Sequence, residues 1–447
     1  MIPLVGAPPT IAAGMKKYRE VFCRDEGFDH VSRYVSGLVL SENKTLQGIY
    51  ALQVWPEWEE VSRRAMHAAV FEAGWSSAEL MKAHHREVAV THRSRGREVI
   101  SLDWTQAHHE RGPQIYGVKE SYDYVNRRES MFQTVVTAVV SNRELVDGLA
   151  VEVQPPDFAE AEMEYLVMTR QEAYTQIEEL QKRIVELLSY QRNRLAYRKR
   201  TEMAVEIVRQ IEDEGHFQEA NYAFDNGVLT LVLTRLIEGR GKHWVSEIEC
   251  SRHINWEGRW RRADEVDDEL RTRHPESFRP IKVKGRNGKE RKYWAFTKVV
   301  RLKRHGRKRI AIVHEKEDLS DAPRCLLSDA LHWESGRVIE TWNYRWPAEI
   351  FHEFSKHVAG FESAQVRKEE AVKRHFRLSC VAQSLVQRVA CSGGKSERFE
   401  FADEKATVGQ KVYTISREAL AGVLQFAQGL FAQRRTLDQV LQVLMPA

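Results

Sequence analysis

Two aspartates follow short apolar runs, Asp103 after EVISL and Asp225 after NYAF. Strand ends on a shared sheet can bring such carboxylates together although they are far apart in the chain. Buried paired carboxylates repel each other unless a divalent cation neutralises them, and hard oxygen ligands favour magnesium or manganese. The plainer reading of each aspartate alone is a helix or turn cap. A third element lies in TWNYRWPAEIFHEFSKHVAGF, residues 341–361. Pro347 suits the first turn of a helix. Arg345 and Glu349 are then four apart, and Glu349 and Lys356 seven apart, so all three share one helix face. Such a face is either a solvated salt-bridge ladder, worth a few tenths of a kcal/mol, or a carboxylate ligand with cations beside it to grip phosphates. Glu353, one turn beyond Glu349, is the rival third ligand.

Other side chains invite the same scrutiny. His108 and His109 lie near Asp103, but no carboxylate or cysteine follows at ligand spacing, so a loop pair is the expectation. Trp342 and Trp346 flank Arg345 and either stack an unpaired base or pack the helix start into the core. Arg192, Arg194, Arg198, Lys199 and Arg200 are either a nucleic-acid backbone contact or a solvated helix face. The five cysteines (Cys23, Cys250, Cys325, Cys380, Cys391) have no paired spacing, so neither a zinc site nor a disulfide framework is indicated.

The elements that must position these residues read as follows. Residues 15 to about 92 are helical by apolar periodicity, and Ser76 with Glu79 makes a capping box for a short helix. Residues 98–103 form a short strand, followed by a loop. The runs 131–140 and 145–153 are a hairpin, separated by Ser141 to Glu144. Residues 157–213 lack proline and glycine and read as helix. Within them Ile177, Leu180, Ile184 and Leu187 keep only two heptads, which suits packing on a sheet better than a coiled coil. A strand at 221–225, a helix at 228–238 and a strand at 243–248 give a β-α-β alternation, hence an α/β fold. Residues 278–284, 292–303 and 307–314 read as three antiparallel strands, with Asn287-Gly288 as the first turn. The chain is helical from 335 to about 390. Short β-like pieces at 397–401 and 411–415 precede a last helix carrying Leu420, Leu424 and Leu430.

Charge is segregated along the chain. Its 447 residues hold 68 lysines and arginines against 64 acids, a formal net charge of +4. Yet Arg279 to Arg309 contains fourteen cations and one acid, Glu290, which leaves the remainder net acidic. So dense a strip, set between strands, points to a polyanion-binding surface, and nucleic acid is the usual polyanion. With 42% hydrophobic and 30% charged residues, the composition excludes a disordered tail protein, a collagen and a disulfide-stapled module. The longest apolar stretches, such as 228–236, fall short of the ~20 residues of a membrane span. The first residues carry their charges after the apolar part, the reverse of a secretory signal. They are read as a loose leader, Met15 being an equally good first residue, and the protein as soluble and intracellular.

The spacing Arg345-x3-Glu349-x6-Lys356 resembles the R-E-K part of the Y-x2-R-x3-E-x6-K pattern of the DDE transposases of bacterial insertion sequences. The tyrosine position falls on Trp342, with Tyr344 two residues later. ISLDWT around Asp103 resembles that family's first catalytic aspartate. AFDNGVLTLVLTRLIEGRGKHWVSEI resembles its second-aspartate strand, helix and next strand. Gly360, Gln365, Arg367 and RHFRLSCVAQSLV (374–386) resemble the helix after the glutamate. YVSGLVLSENKT (34–45) and MHAAVFEAGWSSAEL (66–80) are similar to its helical N-terminal domain. The resemblance covers most of residues 20–390.

It implies an RNase H-like catalytic core interrupted by a β-rich insertion. The division would be a helical DNA-binding domain at 1–95, the core at 96–250 and 323–395, the basic insertion at 251–322, and a C-terminal helical tail at 396–447. Asp103, Asp225 and Glu349 would hold two Mg2+ (or Mn2+) ions for DNA cleavage at the ends of a mobile element and strand transfer into target DNA. Arg345, Lys356, Trp346, Lys282, Lys284, Lys298 and Lys303 would contact DNA. The implied partners are terminal inverted repeats, target DNA and a second copy assembled on DNA, with no membrane. The implied location is the cytoplasm, at the nucleoid when DNA is bound. The alternative is a transposase-derived DNA-binding protein that does not cut.

Overall fold

The run Val99–Leu102 is buried on both faces because its strand lies inside a sheet, antiparallel to one neighbour and parallel to the other. In a computed structural model of the chain, residues 2–55, 61–93, 96–109, 112–123, 126–156, 197–284, 290–391 and 406–445 are described. Helices α1 (Pro9–Met15), α2 (Asp25–Leu40), α3 (Leu46–Ala51), α4 (Arg63–His67) and α5 (Ser77–His92) come first. Strands β1 (Val99–His108), β2 (Val118–Asp123), β3 (Arg128–Ser141) and β4 (Val146–Val153) follow. Then come α6 (Arg200–Glu214), β5 (Asn221–Phe224), α7 (Leu231–Gly239) and β6 (Trp244–Ile248). A hairpin of β7 (His253–Trp256) and β8 (Arg259–Arg262) leads into α8 (Ala263–Arg273). Strands β9 (Arg279–Lys284), β10 (Glu290–Leu302), β11 (Gly306–His314) and β12 (Arg324–Ser328) complete the sheet. The chain closes with α9 (Ser335–Asn343), α10 (Trp346–His357), α11 (Glu369–Gln387), α12 (Val408–Ala432) and α13 (Leu437–Leu444).

Among the described residues the fold is α/β, built on one mixed sheet of twelve strands. On one side β4, β3 and β1 are antiparallel neighbours, and β5 and β6 then run parallel to β1. The crossover α7 between β5 and β6 is the expected β-α-β unit. Beyond β6 the order is β12, β11, β10, β7, β8, with β9 on the free edge of the first part of β10. The three basic strands are antiparallel, as their turns and alternation predict, and they extend the same sheet.

Three expectations change. Strand β1 runs on to His108, since β3 continues to pair with it as far as His108 opposite Phe132. The first residues are not loose: Leu4 exchanges backbone hydrogen bonds with Leu52 and Val54, and Ile11 and Met15 are fully buried. Residues 411–415 lie inside α12, whose start is fixed by a reciprocal cap between Thr407 and Gln410. Leu430 packs inward on Val440 of α13, while Leu420 and Leu424 are exposed. The strand expected at 397–401, the Asn287-Gly288 turn and the heptad of Ile177 to Leu187 fall outside the described residues, as do Arg192 and Arg194.

One apolar core joins the N-terminal helices to α10, α11 and the outer strands β3 and β4. Gly148 of β4 is where these layers come closest. A Cβ there would sit 2.6 Å from Cys380 Sγ on α11 and 2.6 Å from the Phe351 ring on α10. Gly148→Ala is therefore expected to destabilise the protein by about 1–3 kcal/mol through overpacking, read as a lower urea midpoint. An unchanged midpoint would mean that α10 is not seated on β4 in this way.

Candidate active site

The two aspartates meet because of strand register. Leu102 of β1 pairs with Phe224 of β5 in parallel, so Asp103 and Asp225 occupy the next level on neighbouring strands and point to the same face. Asp225 ends its strand in a tight turn, with Oδ1 accepting the Gly227 N–H at 3.0 Å and the Val228 N–H at 3.3 Å. The turn-cap reading is thus correct for one of its oxygens. Gly227 is required there: a Cβ would lie 2.7 Å from the Trp104 ring.

Glu349 reaches these aspartates through α10. The Arg345 guanidinium donates from Nη1 to Asp103 Oδ2 at 3.4 Å and from Nη2 to Glu349 Oε1 at 2.5 Å. The rival Glu353 is exposed. The Asp103 carboxyl is raised to about 7, by burial first and then by the charges of Asp225 and Glu349. The Trp104 N–H (2.8 Å from Oδ1) and Arg345 oppose them.

Helix α10 is pinned to the strand that carries Asp103. Tyr344 O accepts the Ser101 hydroxyl at 2.9 Å and the Ser141 hydroxyl at 3.4 Å. One turn past Glu349, buried His352 lies 2.7 Å from the Thr137 hydroxyl, which itself donates to Asp103 O at 3.2 Å. Burial lowers the His352 imidazole to about 3, with Lys356 and Arg345 adding to the effect, so it is a neutral strut. Neither Thr137 nor His352 was singled out from sequence. The signal for His352 was its place three residues after Glu349, on nearly the same helix face.

The tryptophans separate into two roles. Trp342 is 5% exposed, belongs to a core cluster and lies beneath the Arg345 guanidinium. Trp346 is 61% exposed. Lys356 pairs with Glu362 at 3.5 Å and lines a cleft of about 780 Å³ together with Trp104. Arg200, read as either a nucleic-acid backbone contact or part of a solvated face, stacks on Trp104 with its guanidinium 4.2 Å from the ring centre and lines the same cleft. His108 is a strand residue rather than a loop one, held by Asp123 at 2.8 Å and by Glu362 at 3.3 Å. Long-range folding supplies the carboxylates that its sequence neighbourhood lacks. His109 packs separately against Gln133.

Lys282, Lys284, Lys298 and Lys303 are all exposed, but register sets them apart. Following the pairs from Phe224 through Ser246, Leu327 and Ile310 reaches Lys298, so Asp225 is level with Thr297. Residues 290–296 and their partner β9 therefore extend past the level of the aspartates, carrying Lys282 and Lys284 with them. Lys298 lies one residue from that level and, like Lys282 and Lys284, projects from the face opposite Asp225, over Trp256, and Lys303 follows the far end of β10, near Trp260.

Three carboxylate donors on one sheet end, one of them raised by the charge of the others, fit a hard divalent cation chemically. Among the described residues no three His, Cys, Asp or Glu side chains close into a metal-binding cluster, and Arg345 stands between two of the donors. In the presence of chelator Asp103 therefore disfavours its own charge. The folded state binds its proton up to about pH 7 and the unfolded state only to about 4, so this group's contribution to stability falls as pH rises between those values. Asp103→Asn is expected to raise the melting midpoint of the metal-free protein at pH 8, by an amount equivalent to roughly 2–4 kcal/mol, and to change it little at pH 4. Equal effects at both pH values would refute the raised carboxyl.

No known protein-family profile matches this chain, and no curated protein matches it.

Proposed function

We propose that this chain is a DDE-type DNA transposase, cutting the ends of a mobile element and joining them to target DNA. The observation that carries the reading is the convergence of three carboxylates, Asp103 and Asp225 level on neighbouring strands and Glu349 brought to Asp103 on α10. The order β4-β3-β1-β5-β6, antiparallel then parallel, supports an RNase H-like core. The basic strands between β6 and α9 support an insertion that tracks DNA.

Bound at Asp103, Asp225 and Glu349, Mg2+ or Mn2+ would supply Lewis-acid activation of the attacking oxygen and relief of charge on the leaving oxygen. The chain's own groups do the rest. Arg345 and Lys356, both now paired with carboxylates, are the cations placed to take phosphate oxygens. Trp104 and Arg200 offer a stacking wall beside them, and exposed Trp346 offers a second aromatic face. Thr137 and His352 keep the backbone of Asp103 and the helix of Glu349 at fixed separation.

Asp103→Asn, Asp225→Asn and Glu349→Gln are each expected to abolish magnesium-dependent nicking of end-containing DNA while leaving DNA binding largely intact. Each change removes a ligand charge at constant volume. Nicking that survives Glu349→Gln but not Glu353→Gln would reassign the third ligand. The closure of Glu349 and Asp103 on a guanidinium favours a second reading, a DNA-binding protein that does not cut. DNA binding with no nicking by the wild type in either metal would select it.

Binding should be read by its salt dependence. Lys282→Gln with Lys284→Gln is expected to reduce the log–log slope by about 0.9 for each lost phosphate contact. Adding Lys298→Gln, on the same face, should reduce it again by a similar step, and adding Lys303→Gln by less, because Lys303 lies past the far end of β10. An unchanged slope in the fourfold variant would make the strip a solvated surface.

Two active sites in one complex would be needed to join both ends of an element, which implies a dimer on DNA. Leu420, Leu424, Phe431, Leu437 and Leu441 expose an apolar side of α12 and α13 suited to that contact. Among the described residues no helix is long and apolar enough to cross a membrane.

A further inference from the structure

Cys250 and Cys325 are 75 positions apart, and no spacing rule links them, yet their sulfurs lie 2.7 Å apart. Register explains the meeting. Cys325 of β12 pairs with Ile248 of β6, and Cys250 lies two residues beyond Ile248, so the two side chains project diagonally from one face of neighbouring strands. A disulfide needs a sulfur separation of about 2.05 Å, so closure requires a shift of only about 0.7 Å. Cys325 is fully buried in a core cluster, whereas Cys250 is half-buried at its border.

We propose that Cys250 and Cys325 form an oxidative modification site, a dithiol that converts reversibly to a disulfide in the presence of a peroxide. Cys250 is the attacking residue, because it is the more exposed and because its hydrogen bond with the Cys325 sulfur holds its thiol below the usual range. Its sulfur attacks one peroxide oxygen and the O–O bond breaks. The thiol proton joins the departing hydroxide as water, and Cys250 becomes a sulfenic acid. The Cys325 sulfur then attacks the Cys250 sulfur. The S–O bond breaks, and the hydroxyl leaves with the Cys325 proton as a second water. Two thiols thus give two electrons to one hydrogen peroxide.

The position gives the bond a consequence. Strand β6 is the last before the chain enters the β7–β11 segment, and β12 is the first after it. Their cross-link closes a covalent loop around the whole basic region at its base. Such a loop stabilises the native state by restricting the unfolded chain. The inference does not depend on the reaction proposed above.

The test treats the full chain, freed of reductant, with a small excess of hydrogen peroxide, then maps thiols by proteolysis and mass spectrometry. A Cys250–Cys325 cross-linked peptide that dithiothreitol removes is expected as the main product, with a melting midpoint raised by several degrees in the oxidised form. Cys250→Ser should lose both effects, and Cys325→Ser should leave a sulfenic acid at Cys250 that dimedone traps. Accumulation of sulfinic acid at Cys250 beside a free Cys325 thiol overturns the proposal, and the wild-type map alone can show it if a variant fails to fold. A cross-link that leaves the midpoint unchanged overturns the stapling.

Discussion

Repulsion among carboxylates is the constraint on which the rest of this structure depends. Asp103, Asp225 and Glu349 come from three separate stretches of chain and converge on one end of the sheet. Two like charges ~4 Å apart in an effective dielectric of ~20 repel by about 4 kcal/mol, a sizeable part of the ~5–15 kcal/mol by which a protein is stable. Groups of the chain itself offset part of that repulsion. Arg345 does this for two of them, and Asp103 meets the remainder by holding its proton more tightly.

A cluster under that load needs rigid supports. The supports are backbone contacts rather than further charges. Ser101 and Ser141 grip the carbonyl of Tyr344 just before α10, while His352 and Thr137 connect the middle of that helix to the carbonyl of Asp103. Gly148 lets α10 and α11 approach β4, and Gly227 lets the Asp225 turn approach Trp104. Lost flexibility at these points is what keeps the carboxylates from drifting apart.

The parts legible in the sequence are those set by local pattern. Short β-branched runs ending in aspartate mark β1 and β5, the hairpin at Ser141 to Glu144 marks β3 and β4, and Pro347 marks the start of α10. Parts set by distant partners were not legible. WTQAH after Asp103 lacks a strand pattern, and only the length of β3 makes it one. KVYTI at 411–415 has the composition of a strand, but a cap at Thr407 and the buried Ile415 keep it helical. Density of lysine and arginine disclosed the basic strip but not its register, which decides that Lys284 stands past the carboxylates while Lys303 lies at the other end. The Cys250–Cys325 contact is invisible for the same reason: it belongs to the pairing of β6 with β12.

The cations around the site are committed in a way that bears on how it would take a ligand. Arg345 is held by Asp103 and Glu349, and Lys356 by Glu362, which also holds His108. A phosphate arriving alone must therefore separate a cation from a carboxylate and leave that carboxylate unpaired at a partly buried position, which is costly. Under the proposed function, a divalent cation held by Asp103, Asp225 and Glu349 would compete with the guanidinium that pairs with Asp103 and Glu349. With both bound, the carboxylates would face the metal and Arg345 the phosphate, and no charge would be left unpaired. Under the proposed function, the same ion pairs that hold the carboxylates together would make binding of metal and of DNA cooperative. The coupling follows from Arg345 lying between the acids, not from any moving part of the fold.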